Sequence, residues 1–398
     1  RCPTTTTTMV DTLQTQTQNQ PVDAHGWAEI DLAAVQHNFR RARHYAPDSR
    51  LCAVIKANAY GHGVEPIARA LGNEFQGGDC FAVATLPEAR RVYQALGLRD
   101  ILIMRGPVNA AELTEILATG FMWVLHSPWQ ADLLRQELAK GMLFQPLRIW
   151  VKTNTGMNRL GMSPQAFAEI WPWLKSLPQQ KSLLLMSHFA TADEPDKPLA
   201  AQQLENFTAL ADSVALDRDS DGMSLSASAG ILAWPSAQFS MCRPGIMLYG
   251  ASPMVGEHGP AFGLLPVMNL KSRLVTINEV KAGDTVGYGA TYHCQQDMRV
   301  GVIGIGYGDG YPRHAPSGTP VLIHAAGKVY EAPLAGRVSM DMLTVDLTGV
   351  PAVPGDEVLL WGQAWGSQLP AERIAERCQT IAYELFCQIT SRVKFVYN

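Results

Sequence analysis

Short apolar runs alternate with helix-like segments through roughly the first 250 residues, and this alternation constrains the fold more than any other feature. The runs are apolar without a polar residue at every second position, which is typical of strands buried on both faces of a parallel sheet. Eight strand–helix repeats in about 220 residues predict a (β/α)8 TIM-type barrel in an α/β protein. The predicted strands lie near residues 52–55, 81–84, 101–104, 122–125, 147–151, 183–186, 223–227 and 241–248.

The pattern changes after residue 265. Strand-like segments then follow one another, separated by Gly, Asp and Pro turns, with one clear helix at 370–378 and a strand expected at 284–292. This succession predicts a mostly antiparallel β domain over residues 266–398, after a barrel at 27–265. Residues 1–26 are Thr- and Gln-rich and lack the apolar segment of a secretory signal, so we expect an expression remnant followed by a disordered tail.

Composition excludes several classes of protein. Lys and Arg number 32 against 36 Asp and Glu, a net charge of −4 that gives no reason to expect nucleic acid or an anionic membrane as partner. No apolar run approaches the ~18–20 residues that span a bilayer. Seven scattered cysteines without a C-x-x-C pair fit a reducing compartment and predict a cytoplasmic protein. No H-E-x-x-H motif occurs, so no metal site is expected.

Polar residues follow the predicted strands at the barrel end that usually carries the chemistry. Lys56 comes directly after the first strand, Lys152 ends the fifth, His188 the sixth and Ser228 the seventh, while Arg243 lies in the eighth. Burial lowers the pKa of a lysine amine, which suits Schiff-base chemistry. Each residue alone has a structural alternative, such as a salt-bridging lysine, a packed histidine or a loop serine. The grouping favours a functional site.

Several of these residues belong to longer motifs. Residues 54–63 read Val-Ile-Lys-Ala-Asn-Ala-Tyr-Gly-His-Gly, and further motifs lie at 155–161, 187–194, 243–246, 287–292, 306–310, 336–341 and 383–385. In this order, and over almost everything from residue 28 onward, they resemble the alanine racemase family of fold-type III pyridoxal 5′-phosphate (PLP) enzymes. The resemblance implies a homodimer that interconverts L-alanine and D-alanine and supplies D-alanine for peptidoglycan.

The resemblance also implies a role for each matching residue. Lys56 would form an aldimine with PLP and act as the base for D-alanine, while Tyr288 from the partner subunit would act on L-alanine. Lys152 would be carbamylated and would orient Arg159. The residues expected to contact the cofactor are Lys56, Tyr60, His188, Ser228, Arg243, Gly245, Ile246 and Tyr383. The residues expected to contact the substrate or its channel are Arg159, Met340 and Tyr307.

Elementary acid–base chemistry agrees with these roles. A tyrosine with a pKa near ~10 is a poor base at neutral pH, so Tyr288 needs help, and His188 together with Arg243 are candidates to stabilise its phenolate. Arginine stays protonated and therefore donates a hydrogen bond to the pyridine nitrogen without transferring a proton. The ring is then a weaker electron sink, which favours prompt reprotonation of the carbanion over transamination.

Three alternatives remain at this point. A related racemase with a wider pocket would accept serine or basic amino acids. A non-catalytic PLP-binding homeostasis protein would share the barrel alone, and the second domain with Tyr288 and Met340 counts against it. A fold-type III decarboxylase would share both domains, but no cysteine-centred decarboxylase motif is evident. The sequence departs from the family pattern at Ala227, where Asn is frequent, and at Asn154, where Asp is common.

Overall fold

A computed structural model describes residues 24–141, 145–179 and 181–398 of the chain. Residues 1–23 of the predicted tail therefore lie outside the described residues. Eight parallel strands form one sheet: β2 (Arg50–Val54), β3 (Cys80–Val83), β4 (Ile101–Ile103), β5 (Met122–Leu125), β6 (Leu147–Lys152), β7 (Lys181–Met186), β8 (Gly222–Ser224) and β9 (Met241–Cys242). Their order across the sheet is β8-β7-β6-β5-β4-β3-β2-β9.

The two outer strands of this sheet approach each other and nearly close it into a barrel. Ala227 and Arg243 form an isolated parallel bridge, and the Arg243 amide donates to the Ser226 carbonyl at 2.9 Å. The predicted barrel is confirmed. Its apolar strands are buried on both faces, as their unbroken apolar runs predict. The helices of this half are Leu32–Tyr45, Val64–Gly72, Leu86–Leu96, Ala110–Thr119, Pro128–Ala139, Pro164–Ser176, Pro198–Ser213 and Ser228–Ala233, with 3-10 turns at Pro235–Ala237, Ile246–Tyr249 and Gly259–Phe262.

The last barrel strand is shorter than predicted. The sequence favoured a strand over 241–248, whereas β9 ends at Cys242 and a 3-10 turn, Ile246–Tyr249, follows. Pro244 has no N–H for the sheet, and a proline inside a strand pattern ends the pairing. The chain therefore leaves the sheet here and turns at the barrel end.

The second domain is a nine-stranded, mostly antiparallel sheet, as predicted. The first described strand, β1 (Gly26–Ile30), belongs to it, pairing antiparallel with the strand Met268–Val280 and parallel with the strand Lys394–Tyr397. Other strands are β10 (Met268–Val280), β11 (Thr285–Val286), β12 (Tyr292–His293), β13 (Met298–Ile303), β14 (Pro320–Ala325), β15 (Lys328–Pro333), β16 (Leu343–Asp346), β17 (Glu357–Ala364), β18 (Ser367–Leu369) and β19 (Lys394–Tyr397), of which β11 and β12 form a separate hairpin. Its helices are Ala371–Arg377 and Ala382–Cys387, with 3-10 turns at Tyr288–Ala290 and Tyr307–Asp309.

One predicted strand of this domain is wrong. Residues 284–292 do not form a single strand but the hairpin β11–β12, with the turn Tyr288–Ala290 between its strands. Gly287 and Gly289 adopt φ values of 78° and 75°, which glycine tolerates and which interrupt an extended chain. Tyr288 is consequently presented on a turn.

The second domain reaches the carboxyl end of the barrel through its helix Ala382–Cys387. A Cβ atom added to Gly61 would lie 2.1 Å from the Phe386 carbonyl oxygen, so the two backbones touch where only glycine fits. This contact brings Tyr383 beside the loop that follows β2. No helix within residues 24–141, 145–179 and 181–398 combines the length and apolar character needed to cross a membrane.

Candidate active site

Lys56 begins a single left-handed turn, Lys56–Tyr60, at the carboxyl end of β2. Residues 57–60 have φ values of 52°, 55°, 55° and 52°. This backbone region is unfavourable for residues other than glycine, and four such residues in succession persist only where their surroundings hold them. The turn directs the side chains of Lys56 and Tyr60 toward the carboxyl end of the barrel.

Side chains from outside the turn hold both of its ends. At the start, the Ala57 amide donates to Glu88 Oε1 at 2.8 Å. At the end, His62 Nδ1 bonds to the carbonyls of Ala59 at 3.1 Å and Tyr60 at 2.9 Å. His62 is fully buried, and burial lowers its pKa to about 4, so the imidazole is neutral and Nδ1–H is the donor.

Hydroxyl groups and backbone amides gather after β8 and β9, the usual phosphate site of such barrels. Ser228 Oγ accepts from the Gly245 amide at 2.8 Å, and the turn Ile246–Tyr249 follows directly. A Cβ atom on Gly245 would lie 2.7 Å from the Tyr60 hydroxyl, so a larger residue would fill this space. The Tyr383 ring lies 5.8 Å from the Tyr60 ring. These groups form a cradle that suits a phosphate.

Arg243 crosses the barrel end in a buried position. Its Nη2 donates to the carbonyls of Ser187 at 2.8 Å and Leu225 at 3.1 Å, and to His188 Nδ1 at 3.2 Å, while Nη1 donates to Ser224 Oγ. Because a guanidinium only donates, His188 Nδ1 accepts. A neutral His188 therefore carries its proton on Nε2.

Positive charges lie near one another at this barrel end, with Lys152 and Arg243 buried and Arg159 exposed, and they change one another's titration. Burial, then Arg243, Arg159 and Lys56, lower the pKa of Lys152 to about 7. Burial and the same cations hold the pKa of His188 well below its ordinary value. Burial and Arg159 lower the pKa of Lys56. The cluster favours neutral amines and would accept a negative charge at its centre.

The second domain presents three more of the predicted residues, on the surface. Tyr288 is 71% exposed, Met340 52% and Tyr307 37%. Backbone hydrogen bonds join two of their loops, from the Tyr307 amide to the Ser339 carbonyl at 3.0 Å and from the Gly308 amide to the Met340 carbonyl at 2.8 Å. The structure thus brings Tyr307 and Met340 together and leaves Tyr288 outside the buried cluster.

Comparison with known proteins agrees with this architecture. Residues 30–253 match the alanine racemase N-terminal domain and residues 267–397 match the alanine racemase C-terminal domain. The alanine racemase of Vibrio cholerae is 43% identical over 374 residues, which cover 93% of this chain and 97% of that protein. The chain belongs to the alanine racemase family. The resemblance inferred from the motifs is confirmed.

Solved structures of the alanine racemase family share both domains. The biosynthetic alanine racemase of Pseudomonas aeruginosa superposes with a TM-score of 0.86 at 41% identity, covering 94% of this chain and 99% of that one. The alanine racemase of Bartonella henselae, a structure with covalently bound pyridoxal phosphate, has a TM-score of 0.81 at 27% identity, with coverages of 94% and 100%. Both likenesses extend from the barrel into the β domain.

Within this alanine racemase fold, three supporting residues had no assigned role in the sequence-based prediction. Glu88 and His62 hold the Lys56–Tyr60 turn, and the Tyr249 ring stacks on Tyr60 with centroids 4.6 Å apart. The Thr-x-x-Glu spacing at 85–88 is a readable helix-capping signal. The bond from Glu88 to a different loop is a tertiary contact, which the spacing does not reveal.

Proposed function

We propose that this chain is an alanine racemase that carries PLP on Lys56 and interconverts L-alanine and D-alanine, supplying D-alanine for peptidoglycan in the cytoplasm. The observation that carries this proposal is the meeting of Lys56, the Arg243–His188 pair and the phosphate cradle at one barrel end. Membership of the family supports alanine as the substrate.

The residues present fit PLP. The Tyr60 hydroxyl, Ser228, Tyr383 and the amides of Gly245 and Ile246 would hold the phosphate in the space that the missing Gly245 side chain leaves. Arg243 would donate to the pyridine nitrogen, and His188 would lie beside the ring. PLP, when bound, supplies the electron sink that stabilises the negative charge left on the α-carbon.

Racemisation then needs one base on each side of the α-carbon. Lys56 Nζ takes the α-proton from D-alanine and returns one when D-alanine is formed, and its lowered pKa favours the uncharged amine that this step requires. The phenolate oxygen of the partner subunit's Tyr288 would take the α-proton from L-alanine, and its hydroxyl would return one when L-alanine is formed. His188, which donates through Nε2–H, and Arg243 behind it would stabilise the phenolate.

The substrate carboxylate would be bound by Arg159 and by Met340 of the partner subunit, with Tyr307 at the channel. Lys152 supports Arg159 as a carbamate: the uncharged amine attacks CO2, an N–C bond forms and a proton is released. The resulting negative charge lies among cations that otherwise repel one another. A lysine with a pKa of about 7 is half uncharged at neutral pH, whereas an ordinary lysine is uncharged in fewer than about one molecule in a thousand.

The exposure of Tyr288 and Met340 supports a head-to-tail homodimer with shared active sites. A base that is 71% exposed cannot work in a water-excluding site unless another chain covers it. In the proposed dimer, the second domain of each subunit completes the barrel site of the other.

The deciding experiment incubates PLP-loaded protein with L-alanine in heavy water and measures D-alanine and α-deuterium together. Deuterated D-alanine is expected, and a Lys56→Ala variant should lose the lysine-bound cofactor absorbance and about 10⁴-fold or more of the activity. The Lys328→Ala variant, in which an exposed lysine is replaced, is the matched control. A PLP-loaded protein that racemises serine or a basic amino acid and leaves alanine unchanged would refute the proposed substrate.

A further inference from the structure

Glu88 makes one contact more than helix capping requires. It is the third residue of the helix Leu86–Leu96, and its Oε2 accepts from the amides of Ala84 at 2.7 Å and Thr85 at 3.2 Å, which closes a capping box. Its Oε1 accepts from the Ala57 amide at 2.8 Å, in the loop after the neighbouring strand. One carboxylate therefore joins the loops that follow β2 and β3.

The Ala57 amide is a sensitive point for the adjacent lysine. The amide shares a rigid peptide plane with the carbonyl carbon of Lys56, so the direction of the Ala57 N–H is set by the ψ angle of Lys56. Fixing that N–H on Glu88 fixes how the left-handed turn leaves Lys56. The direction of the lysine side chain relative to the phosphate cradle follows from the same angle.

Glu88 also faces Lys56 electrostatically. Burial and Arg159 lower the pKa of Lys56, whereas Glu88 raises it, more strongly than Cys387 does. Arg243, which stays charged at neutral pH, is a cation like Arg159. The negative charge of Glu88 therefore changes the pKa of Lys56 in the direction opposite to the effect of the cations.

We propose that Glu88 is a positioning residue for the Lys56 base, because its Oε1 fixes the first peptide of the left-handed turn. This inference rests on the two-base racemisation proposed above. A carboxylate that served only the helix would leave Oε1 to solvent, and the bond to Ala57 gives that second oxygen a task at the lysine.

The matched variants are Glu88→Gln and Thr85→Ala. A glutamine amide has one acceptor oxygen and one NH2 donor, so it cannot accept on both sides. We expect its oxygen to stay with the two amides of Ala84 and Thr85, which offer two bonds, and to give up the single amide of Ala57. Thr85→Ala removes the hydroxyl half of the capping box, in which Oγ1 accepts from the Glu88 amide at 3.5 Å, and leaves Oε1 on Ala57.

The first measurement is amide hydrogen exchange in the full-length chain, with and without PLP. We expect Glu88→Gln to accelerate exchange in the peptide that contains residues 55–61, in both states, and Thr85→Ala to leave that peptide unchanged. This reading does not depend on catalysis. Equal exchange of this peptide in wild type and Glu88→Gln overturns the proposal.

The second measurement is the primary deuterium isotope effect in each direction of racemisation. Displacing Lys56 slows the proton transfer at its own face, so kcat/KM should fall by about 10- to 100-fold in Glu88→Gln. With α-deuterated substrates, the isotope effect should rise for D-alanine, where Lys56 breaks the bond, and should fall for L-alanine. Because L- and D-alanine are equal in free energy, kcat/KM must fall by the same factor in both directions, so the isotope effects alone discriminate. Unchanged isotope effects would mark a purely structural role and overturn the proposal.

Failure of this inference is distinguishable from failure of the proposed function. If wild-type protein racemises alanine and Glu88→Gln matches it within about twofold in rate and in both isotope effects, only the role of Glu88 is refuted. If PLP-loaded wild type exchanges the α-proton of neither enantiomer, the proposed function fails. In that case Glu88 does not position a base, and the inference fails too, whatever result the hydrogen exchange of residues 55–61 gives.

Discussion

The two domains contribute to the candidate site in opposite ways. The barrel end buries Lys152 and Arg243 and lowers the pKa of each, whereas the second domain presents Tyr288 and Met340 to solvent. Burying charge is unfavourable, and the barrel accommodates it by lowering pKa values and by accepting four hydrogen bonds from the Arg243 guanidinium. The barrel half is complete within one chain. In the proposed dimer, the other half would gain its environment when a second chain covers it.

The largest test of this contrast removes the exposed base. Tyr288→Phe should lower racemisation by about 10²- to 10⁴-fold because one of the two proton-transfer groups is lost. In heavy water, α-deuterium uptake should fall strongly for L-alanine and far less for D-alanine, which Lys56 still serves. A small and equal loss for both enantiomers would assign the second base to another residue.

Mixing subunits shows whether the two bases come from different chains. Lys56→Ala and Tyr288→Phe should each be nearly inactive, but in the proposed dimer a hybrid would contain one site with both native residues. After full subunit exchange, about a quarter of wild-type activity should return, since half of the dimers are hybrids with one intact site each. A mixture of Lys56→Ala with itself is the control. No recovery after verified exchange would place both bases in one chain.

The buried half should respond to acid in a way that the exposed half does not. His62 has a pKa of about 4 in the folded chain and about 6.5 when unfolded. The unfolded state therefore binds the proton first, so this contribution to stability is complete above pH 6.5 and is lost as the pH falls toward 4. The loss amounts to about 3 kcal/mol by pH 4.

This acid dependence is measurable as the free energy of unfolding in urea between pH 7 and 4. His62→Gln should flatten the curve by about that amount, although it is less stable than wild type at pH 7. The exposed His314→Gln is the matched control and should follow the wild-type slope. Identical slopes for wild type and His62→Gln would show that His62 does not carry this dependence.

The barrel strands were predictable because unbroken apolar runs report burial directly, and most predicted ranges agree with the strands within one to three residues. Two segments failed where glycine or proline interrupts an apolar pattern, at 241–248 and 284–292. The pairing of Gly26–Ile30 with the distant β10 and β19 left no local signal. For the site, the residue types after the strands were readable, whereas the bonds from Glu88 and His62 arise only from the folded chain.

A smaller effect concerns the charge at the centre of the buried cluster. With ¹³C-labelled bicarbonate, wild type should show a carbamate signal that Lys152→Met lacks, and the signal should weaken below pH 7 as the amine becomes protonated. Loss of a charged contact to Arg159 should raise the KM for alanine about tenfold. Lys328→Met serves as the exposed control. An unchanged KM without the signal would separate Lys152 from substrate binding.

The smallest effect is expected at Met340, and it shows whether the side chain or the backbone N–H of this residue binds the substrate carboxylate. A thioether is a weak acceptor and cannot donate to a carboxylate, so its backbone N–H is the group able to bind one. Its carbonyl is fixed by the Gly308 amide and its side chain is half exposed, which leaves the side chain little to do. Met340→Ala should therefore change the KM for alanine by less than about threefold, like the exposed control Met342→Ala, whereas Met340→Pro, which removes the N–H, should raise it about tenfold. If Met340→Ala raised the KM as much as Met340→Pro, the side chain itself would be the contact. The exposed half of the site would then depend on the residue type at position 340, and not on the backbone that the β domain presents.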